Sequence, residues 1–328
     1  MRDKRLNLVI CVFMVVLISC SSNPPNVGRT PISFVTVKPQ STRDDVAHGD
    51  QNTQNPSILT VTTGNHTVIT PSNLPTTPAV ELETTSNSKL IIEKSSLAKS
   101  IGNRDIDLYK IGYAKKNEYA IFVVGEIAGE QIDTRYAVID IYENLKNSPA
   151  QTLENSTLYL IPSLNPDGLD RNRANTRGVD LNRNWQSYNW TQDAPQPGGQ
   201  TVRGTGGTNP FSEPETNSLQ MLMKLLRSEG HQVRLLILHA SAQSNRHEVY
   251  PGYISNGVPG NQKEIAKRIA DLLNFSYSEG DSNNPTTGEA ISWAAENGIL
   301  TADVLWSRPD GNRPSVNQFM RVIEILAK

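Results

Sequence analysis

An α/β fold, a largely parallel sheet packed between helices, is predicted for roughly residues 90 to 328. Three observations predict it. Apolar runs of strand length alternate with helical patterns along this part of the chain. One run, "QVRLLILHAS" (232–241), is almost continuously apolar, as expected of a strand covered by helices on both faces. The composition also changes near residue 88, and the segment ahead of it holds too few large apolar side chains to build a core.

Taken in order, "DIDLYKIGY" (105–113) and "YAIFVVG" (119–125) read as strands, followed by the helix "EQIDTRYAVIDIYENLK" with a stripe at Ile132, Tyr136, Ile139 and Ile141 or Tyr142. "STLYLIPS" (156–163) is the next strand. Ser212, Glu213, Pro214 and Glu215 form a capping-box start for the helix "ETNSLQMLMKLLRS", which leads into the strand that ends at His239. The last third continues with helices at 261–274 and near 288–297, a strand at 299–305 and a helix at 315–327. In open α/β sheets, sites form beyond the carboxyl ends of strands. Asn165 to Gly168 follow one such end and His239 stands at another, which is consistent with one shared cleft.

The first ninety residues are of another kind. Arg2, Lys4 and Arg5 precede an apolar run from Leu8 to Ile18, too short for a confident span, so residues 1–19 read as a secretion signal. The tetrad Leu17, Ile18, Ser19, Cys20 resembles the bacterial lipobox, which implies lipid on Cys20. An uncleaved anchor or a soluble secreted protein is the plainer alternative. With Cys11 inside the signal, the mature chain has no partner cysteine for an intramolecular disulfide. Residues 20–88 are rich in Ser, Thr, Asn and Pro with Phe34 as the only aromatic, and read as a tether in which His48 and His66 are bystanders. Residues 89–328 are the folded domain. The 31 basic and 33 acidic residues, without basic blocks, argue against a nucleic-acid partner.

The stretch "NPDGLDRNRANTRGVDLNRNW" (165–185) carries the chemistry. A guanidinium pairs with a carboxylate through two parallel hydrogen bonds, and an asparagine amide adds a neutral donor, so the stretch suits an acidic ligand. Mutual satisfaction within a polar loop is the structural alternative. Asn165, Asp167 and Gly168 read as turn-formers, with Asp167 orienting nearby donors.

"NPDG", "RANTRGVDLNRNW", "FSEPET", "LHAS" and "TTGEAISWAAENGI" follow one another over about 200 residues in a pattern that resembles the zinc carboxypeptidase A family (peptidase M14), and within it the branch of murein-peptide amidases and gamma-D-glutamyl-diamino-acid peptidases. The resemblance implies a mixed, largely parallel eight-stranded sheet flanked by helices. It also implies one zinc held by an HxxE pair and a later histidine, and a glutamate that activates the metal-bound water. Carried over, the carbonyl-polarising arginine falls on Arg173, and the pair that grips a terminal carboxylate on Asn182 and Arg183.

The metal ligands do not carry over. The GGxHGxE signature becomes "VVGEIAGEQ" (123–131), with Ala128 and Gln131 in place of histidine and glutamate, so His239 is the only retained ligand. In "GEAISWAAENGILTADVLW", Trp306 replaces the catalytic glutamate, and it is expected to narrow the cleft. Asp303 lies three residues earlier, out of reach without a register change. The family's capping tyrosine has no match at Asn284.

Three readings follow. The first is an impaired or inactive carboxypeptidase-like lipoprotein of the cell envelope, membrane-anchored through Cys20, that binds peptides or peptidoglycan stem peptides by their terminal carboxylate and needs no cofactor. The second is a divergent active zinc metallocarboxypeptidase or amidase, with His239 joined by Glu126 or Glu130 and His247. The third is a scaffold that binds nothing. In the plain reading Glu126 and Glu130 face solvent near a helix start, and His231 and His247 lie on the surface. Trp185, Trp190 and Trp293 pack, and Arg308 and Arg313 occupy a solvated loop.

Overall fold

The computed structural model describes residues 90–328 apart from 114–118, 149–153, 169–170, 197–198, 243–244, 281–285 and 309–310. The segments read as signal (1–19), lipidated Cys20 and tether (20–88), and Asn284, lie outside the described residues. In chain order the elements are strands β1 (Leu90–Lys99), β2 (Asp105–Tyr113) and β3 (Tyr119–Val124), helix α1 (Ile132–Asn147) and strand β4 (Ser156–Ile161). A 3-10 turn (Leu181–Arg183), the short strands β5 (Ala194–Pro195) and β6 (Thr201–Val202), helix α2 (Pro214–Ser228) and strands β7 (Gln232–Ser241) and β8 (Glu248–Pro251) follow. Helix α3 (Gly260–Leu273), strand β9 (Ser276–Tyr277), helix α4 (Ala290–Glu296), strand β10 (Leu300–Ser307) and helix α5 (Val316–Leu326) complete the domain.

Eight strands form one mixed sheet in the order β1-β2-β4-β3-β7-β10-β8-β9. Its centre is the parallel run β4, β3, β7, β10, and antiparallel pairs join β1 to β2, β2 to β4 and β10 to β8. β3 and β4 bear apolar side chains on both faces because helices cover both. Successive residues alternate between those faces. On one side Val123, Leu236, Leu238, Val304 and Trp306 pack with Val138 and Ile141 of α1, Ile265 and Ile269 of α3, and Phe319 and Ile323 of α5. On the other, Phe122, Val124, Leu235 and Ile237 pack with Leu219 and Met223 of α2, Trp293 of α4, and Trp185. The second side carries the candidate site.

Several expectations are corrected. α1 buries Thr134, Ala137, Val138, Ile141 and Leu145, whereas Tyr136 is exposed. The capping box at Ser212 does not form: Glu213 is the N-cap without a side-chain cap bond, and its carboxylate receives Ser212, Asn175 and Arg177 instead. A capping box stands at α5, between Ser315 and Gln318. β1 was not expected, since it is a mostly exposed, polar edge strand whose register comes from β2 rather than from an apolar face.

Candidate functional site

The site is built from turns at the carboxyl ends of the central strands. The turn after β3 and the turn after β4 lie against each other: Asn165 N donates to the Glu126 carbonyl at 2.9 Å, and Gly129 N to the Arg173 carbonyl at 3.1 Å. The backbones approach so closely that a Cβ on Gly168 would meet the Gly129 Cα at 2.4 Å. Asp167 fixes the second turn by accepting from Ser100 Oγ, Gly102 N, Arg104 and Thr176, which bears out the orienting role read from the sequence.

Around these turns the arginines are engaged by the protein's own carboxylates. Arg173 Nε donates to Asp180 at 2.6 Å and Nη1 to Glu130 at 3.2 Å. Burial would drive the Arg173 guanidinium down, but Asp180 and Glu130 outweigh it and hold it above its usual value. Burial likewise pushes the Asp180 carboxyl up, yet the charges of Arg173 and Arg183 keep it below the ordinary carboxylate range. The other Asp180 oxygen accepts from Asn182 N and caps the 3-10 turn that presents Asn182 and Arg183.

Arg183 is 3 % exposed. Its Nη1 donates to Glu289 Oε1 at 3.1 Å and to the Asn182 carbonyl, and its Nε to the Pro195 carbonyl. Glu289 Oε2 also accepts from the Tyr253 hydroxyl at 2.5 Å and the Thr286 hydroxyl at 2.7 Å. Burial, then the neighbouring Glu289 charge, pushes the Tyr253 phenol above its usual value.

His239 sits one contact away, its Nε2 3.3 Å from Asn182 Nδ2. Nδ1 is 2.8 Å from the Gln131 amide oxygen, and Nε2 is 3.2 Å from Asp303 Oδ2. Burial raises the Asp303 carboxyl, opposed by His239 and reinforced by Glu289.

The structure therefore joins His239, Gln131, Asn182 and Arg183 directly, with Arg173 linked through Asp180. Trp306 is elsewhere. Strand alternation puts it on the opposite face of β10, 1 % exposed and beside Phe319, so the expectation that it narrows the cleft is corrected. Asp303 is corrected in the other direction, since it meets His239 without any register change.

Other readings change too. Glu126 is buried and paired with Arg135 rather than facing solvent, and Glu130 pairs with Arg173. His231 and His247 are half-buried, the latter against Phe275. Arg308 is half-buried and pairs with Asp133 of α1, whereas Arg313 stays exposed in its loop, as read from the sequence, while pairing with Asp140. Trp185 and Trp293 pack at 5.2 Å between ring centroids, and Trp190 is half-buried. Sequence reasoning missed Glu289, Tyr253 and Thr286. One signal was available: in "TTGEAISW" a charged residue stands where the family pattern GSxxDW has serine.

The donor set does not fit a catalytic zinc ion, which takes three protein ligands. Ala128 has no donor atom, the Gln131 oxygen faces His239, and both ring nitrogens of His239 already have protein partners. Among the described residues no group of three or more His, Cys, Asp or Glu is placed to hold a metal.

Comparison with known proteins agrees with this architecture. The family model described as zinc carboxypeptidase matches residues 81–318. A zinc carboxypeptidase of Simulium vittatum is 26 % identical over 60 % of this chain and 71 % of its own length. Carboxypeptidase B of Astacus astacus is 27 % identical over 65 % of this chain and 78 % of its own. Among solved structures, bovine thrombin-activatable fibrinolysis inhibitor in complex with tick carboxypeptidase inhibitor superposes with a TM-score of 0.59 at 16 % identity, covering 72 % of this chain and 89 % of that one. Murein-tripeptide amidase from Escherichia coli O157 superposes with a TM-score of 0.52 at 16 % identity, covering 70 % and 91 %.

Proposed function

The chain belongs to the zinc carboxypeptidase family, peptidase M14, and from that premise we propose that it binds peptides by their terminal carboxylate without hydrolysing them. The ligand is a peptide or a peptidoglycan stem peptide, and the domain is held at the cell envelope by lipid on Cys20. One observation carries the non-hydrolytic half of the reading: alongside His239 at the ligand positions stand Ala128, which has no donor atom, and Gln131, whose uncharged amide oxygen is 2.8 Å from the His239 ring, where a catalytic zinc site needs two further ligands. The binding half is supported by Arg183, whose planar fork matches a carboxylate and already holds one. The murein-tripeptide amidase among the similar structures supports the choice of ligand class.

The burial of Arg183 favours a second reading, a closed scaffold without a ligand. One set of measurements separates the readings. Protein prepared in zinc-supplemented medium is expected to carry far less than one equivalent of zinc, and to bind a short carboxylate-ended cell-wall peptide in calorimetry. Arg183→Lys keeps the charge but loses the fork, and is expected to weaken that binding. Stoichiometric zinc with chelator-sensitive hydrolysis would refute the proposal in favour of an active enzyme. A wild-type protein that binds no such peptide would leave the scaffold.

A further inference from the structure

Glu289 is held as a ligand would be. Its carboxylate receives one arginine N–H and two hydroxyls, from Arg183, Tyr253 and Thr286, all within 3.1 Å. A carboxylate bound to a protein is recognised by this kind of donor set, charge-assisted and converging from several directions. Arg183 from the 3-10 turn and Tyr253 from the segment after β8 are remote in the chain, whereas Thr286 lies three residues before Glu289 in the same loop. Glu289 itself is the N-cap residue of α4 but makes no side-chain cap bond there, so its carboxylate is turned away from the helix start and toward Arg183.

We infer that Glu289 is an internal stand-in for the ligand carboxylate, and that an external carboxylate reaches Arg183 only by displacing it. The exchange step rests on the peptide-binding reading proposed above; the occupancy of the site by Glu289 does not. Two consequences follow from the geometry. Free ligand competes with a tethered group of the same chemistry, so affinity is set by how readily Glu289 leaves. The preferred ligands are then those whose remaining contacts compensate for the displacement, which selects longer peptides over small carboxylates.

Acetate is the smallest probe. Glu289→Ala removes the stand-in and leaves the three donors, and acetate at tens of millimolar is expected to raise its melting temperature by about 3 °C over chloride at equal ionic strength. Wild type is expected to show no such difference. Glu289→Gln preserves size in case the alanine variant does not fold, and is expected to bind a carboxylate-ended tripeptide about tenfold more tightly than wild type, through weaker competition for Arg183. Acetate acting equally on wild type and Glu289→Ala, or, where wild type binds the tripeptide, an unchanged affinity in Glu289→Gln, overturns the assignment. The two proposals fail separately. An acetate response in Glu289→Ala, with no peptide bound by any form, upholds Glu289 as the stand-in and defeats the peptide reading. Peptide binding that needs Arg183, with no acetate response, does the reverse.

Discussion

Asp167 shows how a single buried charge can organise a loop. Its side chain is fully buried, and its two oxygens accept from Ser100, Gly102, Arg104 and Thr176 at 2.7 to 3.1 Å, joining the turn between β1 and β2 to the segment after β4. Burial alone would raise its carboxyl, but the four donors reverse the sign and leave it below the ordinary aspartate value. A group whose folded value is depressed contributes stability above the unfolded value, about 3.9, and loses it as pH falls through the folded value. Asp167→Asn is therefore expected to cost about 1.5–3 kcal/mol at pH 7, as for hydrogen bonds to a charged group, and less near pH 3. Urea unfolding of both proteins at the two pH values measures this. An equal gap at both would show that the charge of Asp167 is not what the donors hold.

At the scale of elements, the helix starts are made in two ways. α2 begins at Glu213 with its cap unmade, because the Glu213 carboxylate is taken by Asn175, Arg177 and Ser212, and the loop 175–184 is thereby fastened to the helix. α5 begins with a closed capping box, Ser315 N donating to Gln318 Oε1 at 3.0 Å and Gln318 N to Ser315 Oγ at 3.3 Å. The pattern Ser-x-x-Glu at 212–215 and the pattern Ser-x-x-Gln at 315–318 look alike on paper. They differ because the first lies beside a polar loop that competes for its side chains. Ser315→Ala is expected to destabilise the domain by about 1 kcal/mol by removing the Oγ that accepts from Gln318 N at the helix end, whereas Ser212→Ala disturbs the loop and leaves the start of α2 in place. Helix-specific amide exchange distinguishes them, with faster exchange in the first turn of α5 for the first variant only.

For the molecule as a whole, the central strands and the helices were legible because their apolar content is dictated by burial between two layers. β1 and β9 were not, since an exposed edge and a two-residue strand take their place from neighbours. Within the site, Asn182, Arg183 and His239 were readable from motif and position, but the carboxylates that face them were not. Glu289 and Asp303 come from segments 106 and 64 residues away from Arg183 and His239 in the chain, so only the folded sheet brings each pair together. The clearest failure concerns β10, where matching positions along the sequence put Trp306 in the cleft while strand alternation puts it on the other face. There Trp306 is one of the largest fully buried side chains and packs at 6.1 Å from the Phe319 ring of α5. Trp306→Ala is accordingly expected to cost about 3–5 kcal/mol by removing a buried aromatic side chain and leaving a cavity, and to lower thermal stability without opening the site. A cleft residue would behave in the opposite way, with its loss sparing stability and admitting ligand more readily. Unfolding free energy measured alongside the affinity of the carboxylate-ended tripeptide separates the two: a stable variant with tighter binding would return Trp306 to the cleft, and a weakened fold with unchanged affinity places it in the core that α1, α3 and α5 build against the sheet.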